Sequence, residues 1–274
     1  LFVPATDQSR IAKLGLRHAD LAILDLEDAI APQDKESARA AVPSAVAALA
    51  AQGQAVAVRV NAEMPMMAAD LDAAIQQGLD AVLLPKTEHR AQLKSLSEMI
   101  GARETAQGLE PGGISVIALI ETPKALHHLP HIASSPRVCA IALGSEDFSA
   151  SLGTEPTFDS LDLPARLIAL AAAAYGLSSF ALPFSLADFS DLAGFEQAAN
   201  KARAFGVTGG LCIHPAQIEV VNRVFAPDEA ELRRARDLMT AWIEAGRPAV
   251  LKLDGRMVDR PVILRAARLL KLAI

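Results

Sequence analysis

The sequence predicts an α/β protein, a (β/α)8 TIM barrel with a C-terminal helix and hairpin extension, on three observations. Eight short apolar runs, rich in β-branched residues and bounded by turn formers, alternate with helical segments over about 215 residues, the length and rhythm of eight βα units. Apolar residues make up 51% of the chain but aromatic residues only 4%, as expected where Ala, Leu, Val and Ile pack helices on parallel strands. After residue 226 the alternation stops and a different pattern begins. A doubly wound open sheet would give a similar string, and the count of eight favours the barrel.

Residues 1–5 read as the first strand and residues 7–15 as the start of the first helix. The second strand, 20–26, runs into Glu27 and Asp28. A long alanine-rich helix, 35–51, is closed by Gly53, the residue type that best takes the left-handed conformation past a helix end. The third strand, 55–60, carries Arg59 near its carboxyl end, with Asn61 just after it. An amphipathic helix follows over 66–78, then a fourth strand, 81–84, that runs into Pro85 and Lys86, and a helix over 89–104. The fifth and sixth strands, 114–120 and 138–143, are followed by Glu121 and Asp147, and a helix beginning near Pro123 lies between them. Helix 161–175, strand 179–182, helix 192–205 and strand 210–214 complete the set.

The barrel is expected to occupy 1–226 and the extension 227–274. In the extension, 228–245 is a charged amphipathic helix with the only tryptophan, Trp242. Residues 250–253 and 257–258 flank Asp254-Gly255 as a hairpin, and 262–272 is a closing helix. A barrel does not need such an appendage to close, so it is expected to serve as a lid or an oligomer contact.

Composition excludes several classes of function. A net charge of −6 argues against the basic face that nucleic acid or anionic lipid would require. The longest apolar helical run, 167–177, falls short of the roughly 20 residues that span a bilayer. Cys139 and Cys212 fall inside expected strands, where a small buried side chain is the default, and two cysteines make no disulfide framework, so a reducing cytoplasm fits. The chain starts at Leu1, flush with a strand, so natural residues are expected ahead of it, with room for a targeting signal.

Acids or cations recur where successive strands end: Glu27 and Asp28, Arg59, Lys86, Glu121, Asp147. A barrel gathers those ends around one mouth, where ligands bind. Glu121 and Asp147, with no His or Cys beside them, make a hard oxygen site that suits a Mg²⁺ keeping several waters better than zinc. Two solvated acids in two loops is the alternative. Glu27 and Asp28 would then hold waters of the cation, and Arg59 would offer its fork of donors to a carboxylate or oxyanion, or else form a structural ion pair with Glu27 or Asp28. His127, His128 and His131 lack the spacing of a zinc protease helix and are read as a helix face. Gly209-Gly210 precedes its strand and reads as a turn, while His214, before Pro215, reads as fixing the loop backbone.

These residues resemble a known family, the citrate lyase β-subunit-like lyases of the aldolase and citrate lyase barrels, which include malyl-CoA and citramalyl-CoA lyases. The matching stretches are LFVPA at 1–5, ILDLEDAI at 23–30, VRVN at 58–61, LPK at 84–86, ALIETP at 118–123, ALGSEDFSASLG at 142–153, CIHPAQ at 212–217 and DGRMVDRP at 254–261, in order over nearly the whole chain. The resemblance implies Glu121 and Asp147 as Mg²⁺ ligands, Glu27 and Asp28 beside water of the metal, and Arg59 against substrate. It also implies Asp259 as the acid/base, brought over the site from a neighbouring subunit, and backbone amides at Gly144 and Ser145 receiving a substrate carboxylate. Two departures, Gly210 where the family commonly has Lys and Pro183 where it has Asp, leave open which thioester partner fits.

The implied chemistry is cleavage or formation of the carbon–carbon bond of a β-hydroxyacyl thioester, malyl-CoA, citramalyl-CoA or a citryl thioester, giving an acetyl thioester and a 2-oxo acid. Expected partners are the small oxo or hydroxy acid, its CoA or acyl-carrier thioester, and further copies of the chain in a homotrimer, with neither nucleic acid nor membrane. A thioesterase on the same scaffold and a non-catalytic acid- or carrier-binding subunit are the alternatives.

Overall fold

The strands of the first half of the chain alternate between two apolar layers, and that alternation organises the fold. In the computed structural model, which describes residues 1–272, the chain divides into two compact units, Leu1–Phe225 and a second from Ala226 onward. The first unit runs β1 (Phe2–Pro4), α1 (Gln8–Ile11), β2 (Leu21–Asp25), α2 (Lys35–Ala51), β3 (Ala55–Arg59), α3 (Met64–Ala74), β4 (Ala81–Leu84) and α4 (Arg90–Ala106). It continues with β5 (Ser115–Ile120), α5 (Pro123–Leu126), α6 (Leu129–Ala133), β6 (Val138–Leu143), α7 (Ser145–Leu152), α8 (Phe158–Ala174), β7 (Ser178–Phe180), α9 (Leu192–Ala204) and α10 (Pro215–Phe225). The strands form one curled parallel sheet in the order β1 to β7, each paired with the next in sequence.

Alternate residues separate into two clusters. Ala22 and Leu24, Val56 and Val58, and Val116, Ala118 and Ile120 belong to the large core shared with the helices. Ile23, Ala57, Leu83, Ile117, Leu119, Ala140 and Ala142 form a smaller cluster on the other face, joined by Leu211. Both faces are apolar because both are covered, which is why the strands read as continuous hydrophobic runs.

No regular strand forms over 210–214, where the sequence predicts one. Contact survives at two points: Gly209 bridges Phe180 in parallel, and Phe2 N donates to Cys212 O at 2.9 Å. The segment ends early because Ile213 N and His214 N both donate to Gln217 Oε1, at 2.9 and 3.0 Å, which turns the chain into α10. Gly209 and Gly210 also give a strand no side chains to pack. Other expectations are corrected similarly. The histidine helix near Pro123 is two short helices with His127 and His128 between them. Cys139 is exposed, while Cys212 is buried outside any regular strand. Helix α8 begins earlier than the apolar spacing implies because Thr157 caps it, accepting from Ser160 N.

The second unit contains α11 (Glu229–Glu244), the antiparallel pair β8 (Val250–Leu253) and β9 (Arg256–Asp259), and α12 (Arg260–Leu269). Asp228 caps α11 through Glu231 N. Asp254 and Gly255 both take positive φ, 49° and 75°, as the tight hairpin between β8 and β9 requires. Ala235, Met239, Val258, Ile263 and Ala267 make a small core of their own. Among the described residues, no helix is long and apolar enough to cross a membrane.

Candidate active site

The alternation that lines the inner face with apolar side chains continues past it into polar ones. Beyond Leu21 and Ile23 comes Asp25, beyond Ala57 comes Arg59, beyond Ile117 and Leu119 comes Glu121, and beyond Ala140 and Ala142 comes Gly144. A cleft of about 520 Å³ opens there, lined by Asp25, Asp28, Arg59, Glu121, Gly144, Ser145, Glu146 and Asp147 over Phe2, Leu119 and Leu211. Four strands thus supply chemistry at one rim.

Arg59 is held by three acids. Asp25 is its direct partner in the β2–β3 register. Arg59 Nε donates to Asp25 Oδ1 at 2.7 Å and Nη2 to Oδ2 at 2.6 Å, a two-pronged pair. Asp25 also accepts the amides of Glu27 and Ala29, at 2.9 and 3.2 Å, which folds the Glu27–Asp28 turn back over the guanidinium. Nη1 then meets Asp28 Oδ2 at 3.3 Å and Glu27 Oε2 at 2.9 Å. The Glu27 contact is an ion pair without hydrogen-bond alignment, so that buried oxygen has no donor. Burial works against the charge of Arg59, but Asp25, Glu27 and Asp28 outweigh it and raise its pKa.

Glu27 lies behind the cleft lining, buried, with Oε1 accepting from Lys86 Nζ at 3.0 Å. Burial pushes its carboxyl up to about 6, against the pull of Arg59 and Lys86. Glu121 is 2% exposed, and its Oε2 accepts from Lys86 N at 2.6 Å. Burial, reinforced by the charges of Glu27 and Asp147, pushes Glu121 up to about 8, and the Lys86 amide and Arg59 offset this only in part. A Cβ at residue 144 would stand 2.6 Å from Glu121 Cγ and 2.8 Å from Oε1, so only glycine leaves this carboxylate its place. Asp147 is exposed on the first turn of α7.

This donor set fits a divalent cation. A buried acid with too little positive charge around it gains most from one, and two carboxylate ligands leave positions for water and a chelating acid, as Mg²⁺ prefers. Among the described residues no cluster of three or more His, Cys, Asp or Glu forms a ready cage, so a site here has only this sparse protein ligation.

The profile of the HpcH/HpaI aldolase/citrate lyase family matches residues 1–215. This chain belongs to that family. The citrate lyase subunit beta of Leuconostoc mesenteroides subsp. cremoris is 33% identical over 279 residues, covering 100% of this chain and 92% of the relative. The L-malyl-CoA/beta-methylmalyl-CoA lyase of Cereibacter sphaeroides is 31% identical over 293 residues, covering 97% and 91%. The structure of protein CitE from Mycobacterium tuberculosis in complex with magnesium, acetoacetate and coenzyme A is similar with a TM-score of 0.75 at 30% identity, covering 98% of this chain and 95% of that one.

Of the residues singled out from sequence in this family member, Arg59, Glu121, Asp147, Asp28, Gly144 and Ser145 line one cleft, with Glu27 just behind it. Gly144 N is already given to Ile120 O at 3.0 Å, whereas Ser145 opens α7, whose first amides have no partner within the helix. Asp259 lies in the second unit at the end of β9. His214 Nδ1 accepts from Ala216 N at 3.2 Å and its ring stacks on Phe189. The sequence reading overlooked Asp25, which the two-residue period through Leu21 and Ile23 points to. It also overlooked Arg10, Lys13 and Arg17, spaced at helical intervals, which line a smaller cleft sharing Phe2, Arg10 and Ile213 with the main one. A larger hollow, about 820 Å³ within the second unit, is lined by charges of mixed sign with no paired buried acids. The candidate site is therefore the cleft of about 520 Å³, which holds Arg59, Glu121 and Asp147.

Proposed function

We propose that this chain is a Mg²⁺-dependent carbon–carbon lyase acting on a β-hydroxyacyl thioester of the malyl, citramalyl or citryl type, releasing an acetyl thioester and a 2-oxo acid. One observation carries the proposal. Glu121 is buried at the rim beside Asp147 and, among the described residues, has only the Lys86 amide donating to it. The two lyase relatives, and the magnesium and coenzyme A of the mycobacterial structure, support the same reading.

Glu121 and Asp147 would hold the cation, which when bound supplies Lewis acidity toward a chelating hydroxy or oxo acid. Arg59, kept charged by its acids, offsets the negative charge of the acetyl-thioester enolate left when the carbon–carbon bond breaks. Asp259, in its acid form and lent by a neighbouring subunit of a homotrimer, gives the enolate carbon its proton, while the hydroxyl proton released as the carbonyl forms passes to solvent through the water beside Glu27 and Asp28. Glu27 and Asp28 hold water beside the cation, and the amides that open α7 at Ser145, cleared by Gly144, receive the substrate carboxylate. Arg10, Lys13 and Arg17 give the phosphates of a CoA thioester a basic rim.

The scaffold belongs to this reading as a closed (β/α)8 barrel over 1–226. Its eighth stave is the irregular stretch after Gly209, supported by the contacts that stretch makes with β7 and β1. Residues 227–274 serve as lid or subunit contact, and the two unpaired cysteines suit a cytoplasmic setting.

Incubation with malyl-CoA, citramalyl-CoA and citryl-CoA, with Mg²⁺ and with EDTA, tests the proposal. Acetyl-CoA that appears only with Mg²⁺ is the expected product. Free CoA with the hydroxy acid intact would make the chain a thioesterase, and metal and oxaloacetate binding without turnover would make it a binding subunit. Asp259→Ala is expected to spare Mg²⁺ binding and lower turnover by about two to four powers of ten, the range for a lost acid/base. Equal loss of both would return Asp259 to a structural role.

A further inference from the structure

Lys86, at the end of β4, sits where a lysine is conformationally disfavoured. Its φ is +49°, the left-handed region that glycine enters freely and other residues enter at a cost. The surrounding chain holds it there from both sides. Thr87 N donates to Leu119 O at 3.0 Å, Thr87 Oγ1 to Leu84 O at 2.9 Å, and Gln92 Nε2 to Lys86 O at 3.1 Å. Strain of this kind persists where neighbouring bonds over-determine it, and it concentrates at functional sites.

The strained conformation aims two groups at two different acids. The amide donates to Glu121 Oε2 at 2.6 Å, and the ammonium, on a side chain 46% exposed, donates to Glu27 Oε1 at 3.0 Å. Glu27 in turn pairs with Arg59. One residue therefore links the acid expected to hold the cation to the acid expected beside the cation's water and, through it, to the guanidinium expected to face the substrate. Glycine would supply the turn and the amide without strain, but it has no ammonium.

We propose that Lys86 is a positioning residue whose left-handed backbone fixes Glu121 while its ammonium fixes Glu27, so that a conformation costly to the fold sets the spacing of the two acids. The inference rests on the lyase reading of the same cleft.

Lys86→Gly, Lys86→Ala and Lys86→Arg separate the two roles. Both Gly and Ala variants lose the ammonium, but only Gly relieves the strain, so Lys86→Gly is expected to melt about 2 to 4 °C above Lys86→Ala. Its Mg²⁺ affinity by calorimetry should stay within about threefold of the unmodified protein, because the amide remains. Its kcat should fall about 10- to 100-fold with little change in KM, and Lys86→Arg should recover part of that loss. Equal melting temperatures for the Gly and Ala variants would overturn the strain argument. Unchanged kcat in the Gly variant, or loss of Mg²⁺ affinity together with kcat, would overturn the positioning role. Failure of the unmodified protein to bind Mg²⁺ would sink the lyase reading itself, whereas the Gly and Ala comparison of melting is independent of it.

Discussion

Two buried glutamates stand at opposite ends of β5, and the same side chain does opposite things there. At the amino end, Glu104 is fully buried and receives a fork from Arg137, with Nη1 to Oε1 at 2.8 Å and Nη2 to Oε2 at 2.7 Å. It also accepts the amides of Gly112 and Ile114 at 2.9 and 3.0 Å. At the carboxyl end, Glu121 is nearly as buried and receives one amide. Burial raises both carboxyls, but the donors around Glu104 outweigh it and hold that acid at about 2, while Glu121 rises to about 8. Each acid even meets a cation in the left-handed region, Arg137 with φ +63° and Lys86 with φ +49°. What separates them is how completely the partners satisfy the charge. A satisfied acid locks the bottom of the sheet, and an unsatisfied one stands at the rim, where the proposed function puts a cation.

The largest expected effect is at the unsatisfied end. Glu121→Gln should abolish Mg²⁺-dependent turnover and Mg²⁺ binding by calorimetry, while leaving the metal-free protein at pH 8 at least as stable as before, because a neutral amide carries no burial penalty for charge. Retained Mg²⁺ affinity would remove Glu121 from the metal site. Next comes Arg137→Met, which strands a buried carboxylate and should cost about 3–5 kcal/mol in urea unfolding. The folded variant should bind Mg²⁺ as the unmodified protein does, and a parallel loss of affinity would erase the distinction between the two ends.

The pH dependence of stability should show both acids at once, with opposite signs. Glu104 is depressed, so its contribution is present above its ordinary value of 4.5 and is lost as pH falls toward about 2. Glu121 is raised, so its contribution is present below 4.5 and is lost as pH rises toward about 8, with Glu27 adding to the same limb through its rise to about 6. Urea midpoints in EDTA should therefore fall away on both sides of mildly acid pH. Mg²⁺ should flatten the alkaline limb alone, since it binds the ionised acid. An alkaline limb that ignores both Mg²⁺ and Glu121→Gln would break the assignment.

The two ends were unequally legible in the sequence. Glu121 and Asp147 follow short, unbroken apolar runs of strand length, so strand end and acid are read together. Strands 81–84 and 138–143 and helix 35–51 match the observed elements residue for residue, because apolar period and flanking turn residues agree there. Asp25 hid inside an expected strand, 20–26, whose boundary was read at Glu27, although the two-residue period through Leu21 and Ile23 puts it on the inner face, where the register sets it beside Arg59. Arg59 then appeared short of a partner, and Glu27 and Asp28 were the natural candidates. The pairing of Glu104 with Arg137 joins a helix end to a residue just before a distant strand, and nothing local in either segment announces it. The stretch 210–214 misled for a different reason. Its apolar Leu211, Cys212 and Ile213 read as strand, but Gln217 takes the amides that a strand would have shared with its neighbours.

Gly144 gives the smallest effect and the sharpest separation of the two ends. Its φ of −87° is open to any residue, so Gly144→Ala introduces no backbone strain. The new Cβ would instead press on Glu121, whose Cγ lies 2.6 Å from it, and a side chain yields more readily than backbone. Melting temperature should thus move by no more than about 2 °C, while Mg²⁺ affinity falls about tenfold, as when the support of a metal ligand is disturbed. If the effect passes through Glu121, the small melting shift that Gly144→Ala causes without metal should vanish in a Glu121→Ala background, since the side chain that the new Cβ presses on is gone. An unchanged shift in the double variant would mean that Gly144 acts on Asp147 or on the opening of α7, and the glutamate would lose its claim to this glycine.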